Sequence, residues 1–292
     1  MITSFKLNLP FTLLLLLFNQ ICMAEDTKQT TAWQQLKRDY FGQRVIRENA
    51  TDLLFIEVPN KVEDAAIMPL TIKSLAAQTP QHHIKTLHLI VDNNPQPYSA
   101  VFTLSPTLGA VNISTRIRMD NFSNVRVIAE MNDDSLHMLN RFVIASGGCS
   151  APASKDPTSS ITRLGKVQLR MRQAIIGQET TAQVIISHPN SSGMQFDKAS
   201  RHFIPAHYVT GINISFNNEP LITVKTGITI SEDPSIRFTF TPQTAGILAA
   251  QILATDNQEI HTKIASYKEN LKSKIVKANN DLAVHKYKFR TN

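Results

Sequence analysis

Residues 112–118, Asn112-Ile-Ser-Thr-Arg-Ile-Arg118, alternate between apolar and polar side chains and indicate the fold class. Ile113 and Ile117 fall on one face of an extended chain, because successive side chains of a β-strand point to opposite sides. Turn-forming Pro, Asn and Asp residues separate this stretch from its neighbours. Other short β-rich runs lie on both sides of it, at residues 53–58, 87–91, 100–104, 125–131 and 139–144. Several short strands at this spacing predict a β-sandwich.

A second group of β-rich runs follows a segment of small residues. Residues 145–160 consist mostly of Ala, Ser, Gly, Pro and Thr. Such a segment cannot build a core of its own, so we interpret it as a linker. The β signal then returns at residues 167–171, 181–186, 208–216, 221–224, 235–240 and 247–254. We therefore predict an all-β protein with two β-sandwich modules joined by a small-residue linker.

Helical spacing appears only near the two ends of the chain. Trp33, Leu36, Tyr40 and Phe41 are spaced as on one face of a short amphipathic helix. Beyond residue 258 an apolar stripe recurs at helical spacing with lysines around it, at Ile264, Tyr267, Leu271, Ile275 and Ala278. We predict a short N-terminal helix and a C-terminal helix that packs on the second sandwich. The alternative for the C-terminal helix is a membrane surface or a partner protein.

The first 24 residues have the features of a secretory signal peptide. Lys6 gives an early positive charge, an apolar run extends from Phe11 to Phe18, and the small residue Ala24 precedes the expected cleavage point. The apolar run is too short for a membrane span, which needs about 20 apolar residues. We therefore predict export, no stable membrane span, and a mature chain of 268 of the 292 residues.

Composition and motifs argue against several functional classes. The net charge is +7, and from residue 265 onward seven Lys and Arg stand against two acidic residues. The basic character therefore belongs to the tail, and we expect no nucleic-acid partner. The sequence contains no Ser-His-Asp order, phosphate loop or dinucleotide fingerprint, and His82, His83 and His88 lack a set of ligands at metal spacing. We predict no cofactor, no metal and no enzymatic activity of its own, and we assign His188 and His207 to turns or strand ends.

Cys149 is the single cysteine that remains once the predicted signal peptide, with Cys22, is removed. An exported chain with one cysteine cannot form an internal disulfide, so its thiol is either incidental or reactive. Gly147 and Gly148 precede it, and the small-residue segment follows it. We interpret the two glycines as a swivel that presents an accessible thiol. Cys149 is thus a candidate for covalent attachment of sulfur, and the alternative is a free cysteine without a function.

Several phrases of the sequence resemble two known families. In the first module, the phrases resemble SoxY, the sulfur-carrying subunit of the periplasmic thiosulfate-oxidising system: residues 62–72, 88–92, 114–118 and 127–131. In the second module, residues 186–189, 204–209 and 231–240 resemble its partner SoxZ. The arrangement is similar to fused SoxYZ-like carriers found beside quinoprotein alcohol dehydrogenases. This resemblance implies an immunoglobulin-like sandwich for each module.

The resemblance also implies a chemistry for Cys149. Gly147, Gly148 and Cys149 match the first half of the Gly-Gly-Cys-Gly-Gly run that carries the SoxY cysteine, whereas Ser150-Ala-Pro152 replaces its second half. A SoxYZ-like protein is a periplasmic carrier that holds a sulfur species as a mixed disulfide or a thiosulfonate-type adduct. The partners that this implies are periplasmic redox proteins: a c-type cytochrome, sulfur-oxidising enzymes or a quinoprotein dehydrogenase.

The expected organisation and the competing function follow from these observations. The predicted segments are a signal peptide at 1–24, a SoxY-like sandwich with its N-terminal helix at 25–148, a linker at 149–163, a SoxZ-like sandwich at 164–260 and a basic C-terminal helix or tail at 261–292. The alternative function is a non-covalent adaptor or assembly protein for a periplasmic quinoprotein dehydrogenase or cytochrome, without sulfur chemistry. The single thiol also leaves open a dimer linked through Cys149.

Overall fold

The computed structural model describes residues 32–76, 78–152, 163–171 and 174–255. Within them the fold is all-β, as the sequence predicts, with one helix (α1) at residues 32–41 and a 3-10 turn at Pro106–Leu108. The first module contains strands β1 Ile46–Arg47, β2 Leu54–Glu57, β3 Met68–Ser74, β4 Ile84–Val91, β5 Tyr98–Leu104, β6 Asn112–Ile117, β7 Ser123–Met131 and β8 Leu136–Val143. The second contains β9 Val167–Met171, β10 Thr180–Ile186, β11 Phe196–Asp197, β12 His202–Phe203, β13 Val209–Phe216, β14 Glu219–Thr226, β15 Ser235–Phe240 and β16 Leu248–Thr255.

The two modules share both of their main sheets. One sheet has eight strands in the order β1-β8-β7-β4-β5-β14-β13-β16, and the other has six in the order β2-β3-β6-β15-β10-β9. Strand β5 pairs antiparallel with β14 in the first sheet, and β6 pairs antiparallel with β15 in the second. One hydrophobic core therefore runs through both modules. The sequence predicts two sandwiches but does not reveal that their strands pair with each other.

The alternation that predicts the strands also decides which side chains enter the core. In β6, Ile113 and Ile117 are buried on the inner face as expected. Strand β3 follows the same rule, with Met68 and Ile72 buried, but no strand is predicted there. Pro69 obscures the signal because proline is rare inside paired strands. Because β3 and β15 flank β6, the end of β6 lies at the boundary of the two modules.

Helix α1 covers the outer face of the eight-stranded sheet. Its Trp33 and Phe41 pack with Ile90 of β4 and Ile128 of β7 in a second, smaller apolar cluster. The predicted N-terminal helix is therefore confirmed. The predicted signal peptide, most of the linker and the C-terminal helix lie outside the described residues. Among the residues that are described, no helix is long and apolar enough to cross a membrane.

Candidate functional site

Cys149 is buried at the boundary between the two modules. It follows β8 and is a free cysteine whose side chain has no exposure to solvent. The hydroxyl of Ser192, a buried residue of the second module, donates a hydrogen bond to the Cys149 carbonyl oxygen. The residue that the sequence selects as the site is therefore in contact with the SoxZ-like half of the chain.

The two glycines before Cys149 hold it close to the first module. The Gly147 amide donates to the Asp120 carbonyl and the Gly148 amide to the Met119 carbonyl, both at 2.8 Å. A Cβ atom on Gly148 would lie 2.0 Å from the carbonyl oxygen of Ala65, so only glycine fits there. Gly147 is exposed and has a φ of +76°, and a Cβ atom added to it would have no atom within 4 Å. In this closed arrangement Gly148 is a tight packing contact, and its role in presenting the thiol stays a prediction.

The expected accessibility of Cys149 is wrong for this arrangement. A linker of small residues is not expected to bury a side chain, yet the exposure of Cys149 is 0%. Two other segments cover the Cys149 side chain: the chain after β6 and residues 187–195 of the second module. Small residues favour this burial because they let the segment approach the neighbouring backbone closely.

Residues 187–195, here called the covering loop, are held in place by a buried asparagine. Asn190 has no solvent exposure. Its side-chain amide donates to the Ile230 carbonyl at 3.1 Å, its side-chain oxygen accepts from the Val209 amide at 3.1 Å, and its own amide donates to Nδ1 of His188 at 3.0 Å. A network of this kind fixes the loop, since each buried polar atom would be costly without its partner.

Two histidines of the second module, His188 and His207, lie in and beside the covering loop. His188 follows β10 and His207 precedes β13, in agreement with their assignment to turns or strand ends. Their ring centroids are 4.5 Å apart. Burial, and to a smaller extent the charge of His207, lowers the pKa of His188 to about 3. His188 is therefore neutral at pH 7, and the covering loop brings no histidine charge to the boundary at this position.

The thiol of Cys149 is protonated in this arrangement. Burial raises its pKa to about 12; the charge of Asp120 also raises it, while that of Arg118 lowers it. The thiolate is the reactive form of cysteine, so the enclosed thiol is protected at neutral pH. Both the attachment of sulfur and a dimer through Cys149 therefore require this segment to move.

Arg118 belongs to the same boundary, although the sequence does not single it out. It follows β6 directly and is 2% exposed. Its amide donates to the Thr229 carbonyl at 2.7 Å, and Nη2 donates to the Asn190 carbonyl at 3.2 Å. The alternation of residues 112–118 places Arg118 on the polar face, but β6 ends at Ile117, so the alternation does not govern the next side chain. A buried arginine at this position has no sequence signal of its own.

The histidines considered as metal ligands lie in β4 and in the turn before it. In β4, His88 bonds through Nδ1 to the Tyr98 hydroxyl at 2.5 Å, and its Nε2 lies 3.3 Å from Oε2 of Glu130. Burial lowers the pKa of His88. In the part of the chain that the structure describes, no three His, Cys, Asp or Glu side chains are grouped to hold a metal ion. His88 is thus held by the side chains of Tyr98 and Glu130.

Two models of known protein families match successive parts of the chain. The family model for sulfur oxidation protein SoxY matches residues 37–149, and that for sulphur oxidation protein SoxZ matches residues 169–265. No protein of curated function matches the chain.

Two solved structures have similar parts. The sulfur carrier protein SoxY from Chlorobium limicola f thiosulfatophilum is 20% identical, covers 42% of this chain and 99% of its own, and has a TM-score of 0.35. The superoxide reductase (neelaredoxin) from Ignicoccus hospitalis is 12% identical, covers 34% of this chain and 94% of its own, and has a TM-score of 0.30. The two family matches together span most of the chain, and the first ends on the buried cysteine. The chain therefore belongs to the sulfur-oxidation families SoxY and SoxZ, with a SoxY domain followed by a SoxZ domain in one polypeptide.

Proposed function

We propose that the chain is a periplasmic carrier protein, not an enzyme, that binds a sulfur intermediate covalently on Cys149 and presents it to partner redox proteins. The observation that carries this proposal is the position of Cys149. It is the last residue of the SoxY match, and it is buried between the chain after β6 and the covering loop of the SoxZ domain. The predicted signal peptide at residues 1–24 supplies the export that this function needs.

The carrier function requires the Cys149 segment to open. Three hydrogen bonds hold it: from Gly147 and Gly148 to the chain after β6, and from Ser192 to Cys149 itself. A single hydrogen bond contributes about 0.5–1.5 kcal/mol net, so breaking three costs on the order of a few kcal/mol. A minority of molecules would be open at any time, and partner proteins would bind that minority. The fusion tethers the segment at both ends, since residue 150 continues toward the second domain.

The chemistry follows from the change in environment. Once exposed, the thiol regains an ordinary pKa of about 8.5 and supplies the thiolate that attacks sulfur. Joining thiosulfate to this thiolate forms a sulfur–sulfur bond and releases two electrons, which a partner redox protein such as a c-type cytochrome accepts. The partners that use the bound sulfur are sulfur-oxidising enzymes or a quinoprotein dehydrogenase. Closing the segment afterward would shield the bound group from other thiols.

Intact-mass analysis of the chain, expressed with its signal peptide in a thiosulfate-oxidising bacterium, tests the proposal. We expect sulfur-sized mass additions that a reductant removes and that Cys149→Ser abolishes. Ser150→Ala, which alters the exposed neighbour of the cysteine, is the matched control and keeps the additions. A wild-type chain that carries only an unmodified thiol, together with full partner activity in Cys149→Ser, contradicts the carrier proposal.

A non-covalent adaptor for a periplasmic quinoprotein dehydrogenase or cytochrome is the second candidate. The observation that favours it is the complete burial of Cys149, whose raised pKa makes the thiol unreactive in the closed arrangement. An adaptor needs the shared sheets and their surfaces but not the thiol. The same variant separates the two functions, since Cys149→Ser retains partner binding and partner activity only in an adaptor.

A further inference from the structure

Arg118 is a buried cation with an unused hydrogen-bond donor. Its side chain ranks among the largest that are fully buried. Nη2 donates to two main-chain oxygens, those of Asn190 at 3.2 Å and Pro189 at 3.5 Å, whereas the buried Nε has no hydrogen-bond partner. No ion pair among the described residues includes Arg118. A buried guanidinium normally has a carboxylate or another anion beside it, because removing the charge from water is costly.

The position of Arg118 relative to Cys149 is fixed by contacts on both sides. Met119, the next residue, accepts the hydrogen bond from Gly148, and Gly148 precedes Cys149. On the other side, the covering loop accepts from Arg118 at Asn190 and donates to Cys149 from Ser192, two residues later. Arg118 and Cys149 are therefore enclosed together, between the chain after β6 and the covering loop.

Electrostatics agrees with this geometry. Burial lowers the pKa of Arg118, and among the charges that oppose this effect Cys149 is the largest, ahead of Glu232 and Asp64. A protonated thiol brings no charge, so in the closed and unloaded protein only the weaker effects of Glu232 and Asp64 remain, and neither carboxylate forms an ion pair with the guanidinium. A negative group attached to the sulfur would supply one at this position.

We propose that Arg118 is the counter-ion for an anionic sulfur group carried on Cys149. The Nε–H of Arg118 donates to a terminal oxygen of a thiosulfonate-type group (–S–S–SO3−), or to the terminal sulfur of a persulfide, and the site holds such anionic groups in preference to neutral ones. This inference rests on the carrier function proposed above. It adds that the group carried on Cys149 is anionic and that Arg118 is the residue that recognises it. A neutral disulfide on Cys149 leaves the guanidinium unpaired, so it gains nothing from closure.

Two reagents prepare matched loads on the purified, reduced full chain. Tetrathionate reacts with the Cys149 thiolate, whose proton has passed to solvent. The thiolate attacks an inner sulfur, breaks the central sulfur–sulfur bond, releases thiosulfate and leaves an anionic –S–S–SO3− group. Methyl methanethiosulfonate transfers its methylthio group, releases methanesulfinate and leaves a neutral –S–S–CH3 group. Intact mass verifies each load.

The measurement is the rate at which a water-soluble phosphine removes each load, followed by mass. The ratio of the neutral to the anionic rate is divided by the same ratio in urea-unfolded protein, which removes the intrinsic chemistry of the two disulfides. We expect wild type to protect the anionic group about tenfold or more over the neutral one, because a hydrogen bond between two charged groups is stronger than one to a neutral group. Arg118→Met should abolish this preference, and Arg118→Lys should retain part of it.

Arg116→Met is the matched control, since it removes an equal charge from a half-buried side chain that bonds the Glu232 and Asp233 carbonyls. It should keep the preference for the anionic load. A second readout needs no variant: the anionic load should raise the melting temperature of wild type above that of the neutral load. Equal protection of the two loads in wild type, or the same preference in Arg118→Met, overturns the role of Arg118 while leaving the carrier function intact. If neither reagent modifies the folded chain, Cys149 never opens, and the carrier function is overturned with it.

Discussion

Two buried arginines of the first domain differ in what faces their guanidinium groups. Arg126 on β7 binds both carboxylate oxygens of Asp92, with distances from 2.7 to 2.9 Å, and its guanidinium carbon lies 4.3 Å from the Trp33 ring. Arg118 has carbonyl oxygens as partners and an unpaired Nε. Both side chains are nearly inaccessible to water.

The difference indicates that the charge of Arg126 stabilises the fold, whereas the charge of Arg118 is available to bind another anion. The Arg126–Asp92 pair is complete, and it fastens helix α1 to the sheet through Trp33. Such a pair has no capacity for another anion. The Arg118–Cys149 site is incomplete in the same sense, because its cation faces a thiol that carries a charge only after ionisation or after an anionic group is attached. One arginine thus stabilises the fold, and the other is placed to recognise a load.

Breaking the complete pair should have the largest effect. Asp92→Asn keeps the shape of the side chain but leaves the Arg126 charge buried without a counter-ion, which costs about 3–5 kcal/mol. We expect a loss of that size in the free energy of unfolding, measured by urea denaturation and tryptophan fluorescence, since Trp33 is the single tryptophan of the chain.

Asp52→Asn is the control for this substitution, because Asp52 pairs with Arg47 on the exposed surface. Exposed pairs contribute little to stability, so its unfolding curve should overlay that of wild type. If Asp92→Asn and Asp52→Asn have the same free energy of unfolding, the Arg126–Asp92 pair does not stabilise the fold. The contrast with Arg118 is then wrong.

Loosening the closed segment tests the other region. In Gly148→Ala the new Cβ would lie 2.0 Å from the Ala65 carbonyl oxygen and 2.7 Å from that of Met119. Backbone atoms cannot yield by that much, so the segment must move outward. We expect the rate of Cys149 alkylation by iodoacetamide to rise about tenfold or more, which corresponds to about 1.4 kcal/mol in the opening equilibrium.

Ser146→Ala, at an exposed position of the same segment, should alkylate at the wild-type rate. Far-UV circular dichroism confirms that both variants are folded. An unchanged rate in folded Gly148→Ala shows that the clash is relieved elsewhere and that this segment does not control access to the thiol.

The strands could be predicted from the sequence because their signal is local. Alternation and turn residues locate β6 at 112–118, where the strand spans Asn112–Ile117, and β15 at the observed Ser235–Phe240. The antiparallel pairing of these two strands could not be predicted, because their pairing residues are more than 100 positions apart and no local pattern encodes which edges meet. Local sequence patterns thus predict the fold class of this chain, but they do not predict that the strands of its two domains pair with each other.

The candidate site divides in the same way. Cys149 could be found because it is the one cysteine left after the predicted cleavage, and residue counting needs no structure. Its burial could not, since the enclosing atoms belong to Met119 and to Ser192, which precede and follow it by dozens of residues. Arg118 was missed for a related reason: periodicity describes the strand that ends at Ile117 and says nothing of the side chain after it.

Removing the available charge should have the smallest effect on the unloaded protein. Arg118→Met replaces the guanidinium by an unbranched apolar side chain and leaves the Asn190 and Pro189 carbonyls without their donor. Such a loss costs about 1–3 kcal/mol, but removing a buried charge that lacks a counter-ion recovers a desolvation penalty of several kcal/mol. The two terms largely offset each other, so the free energy of unfolding of the reduced chain should change by less than about 1 kcal/mol. Urea denaturation under reducing conditions measures it beside Asp92→Asn. A loss as large as in Asp92→Asn means that Arg118 stabilises the unloaded fold, and the distinction between a structural and an available arginine then has to be given up.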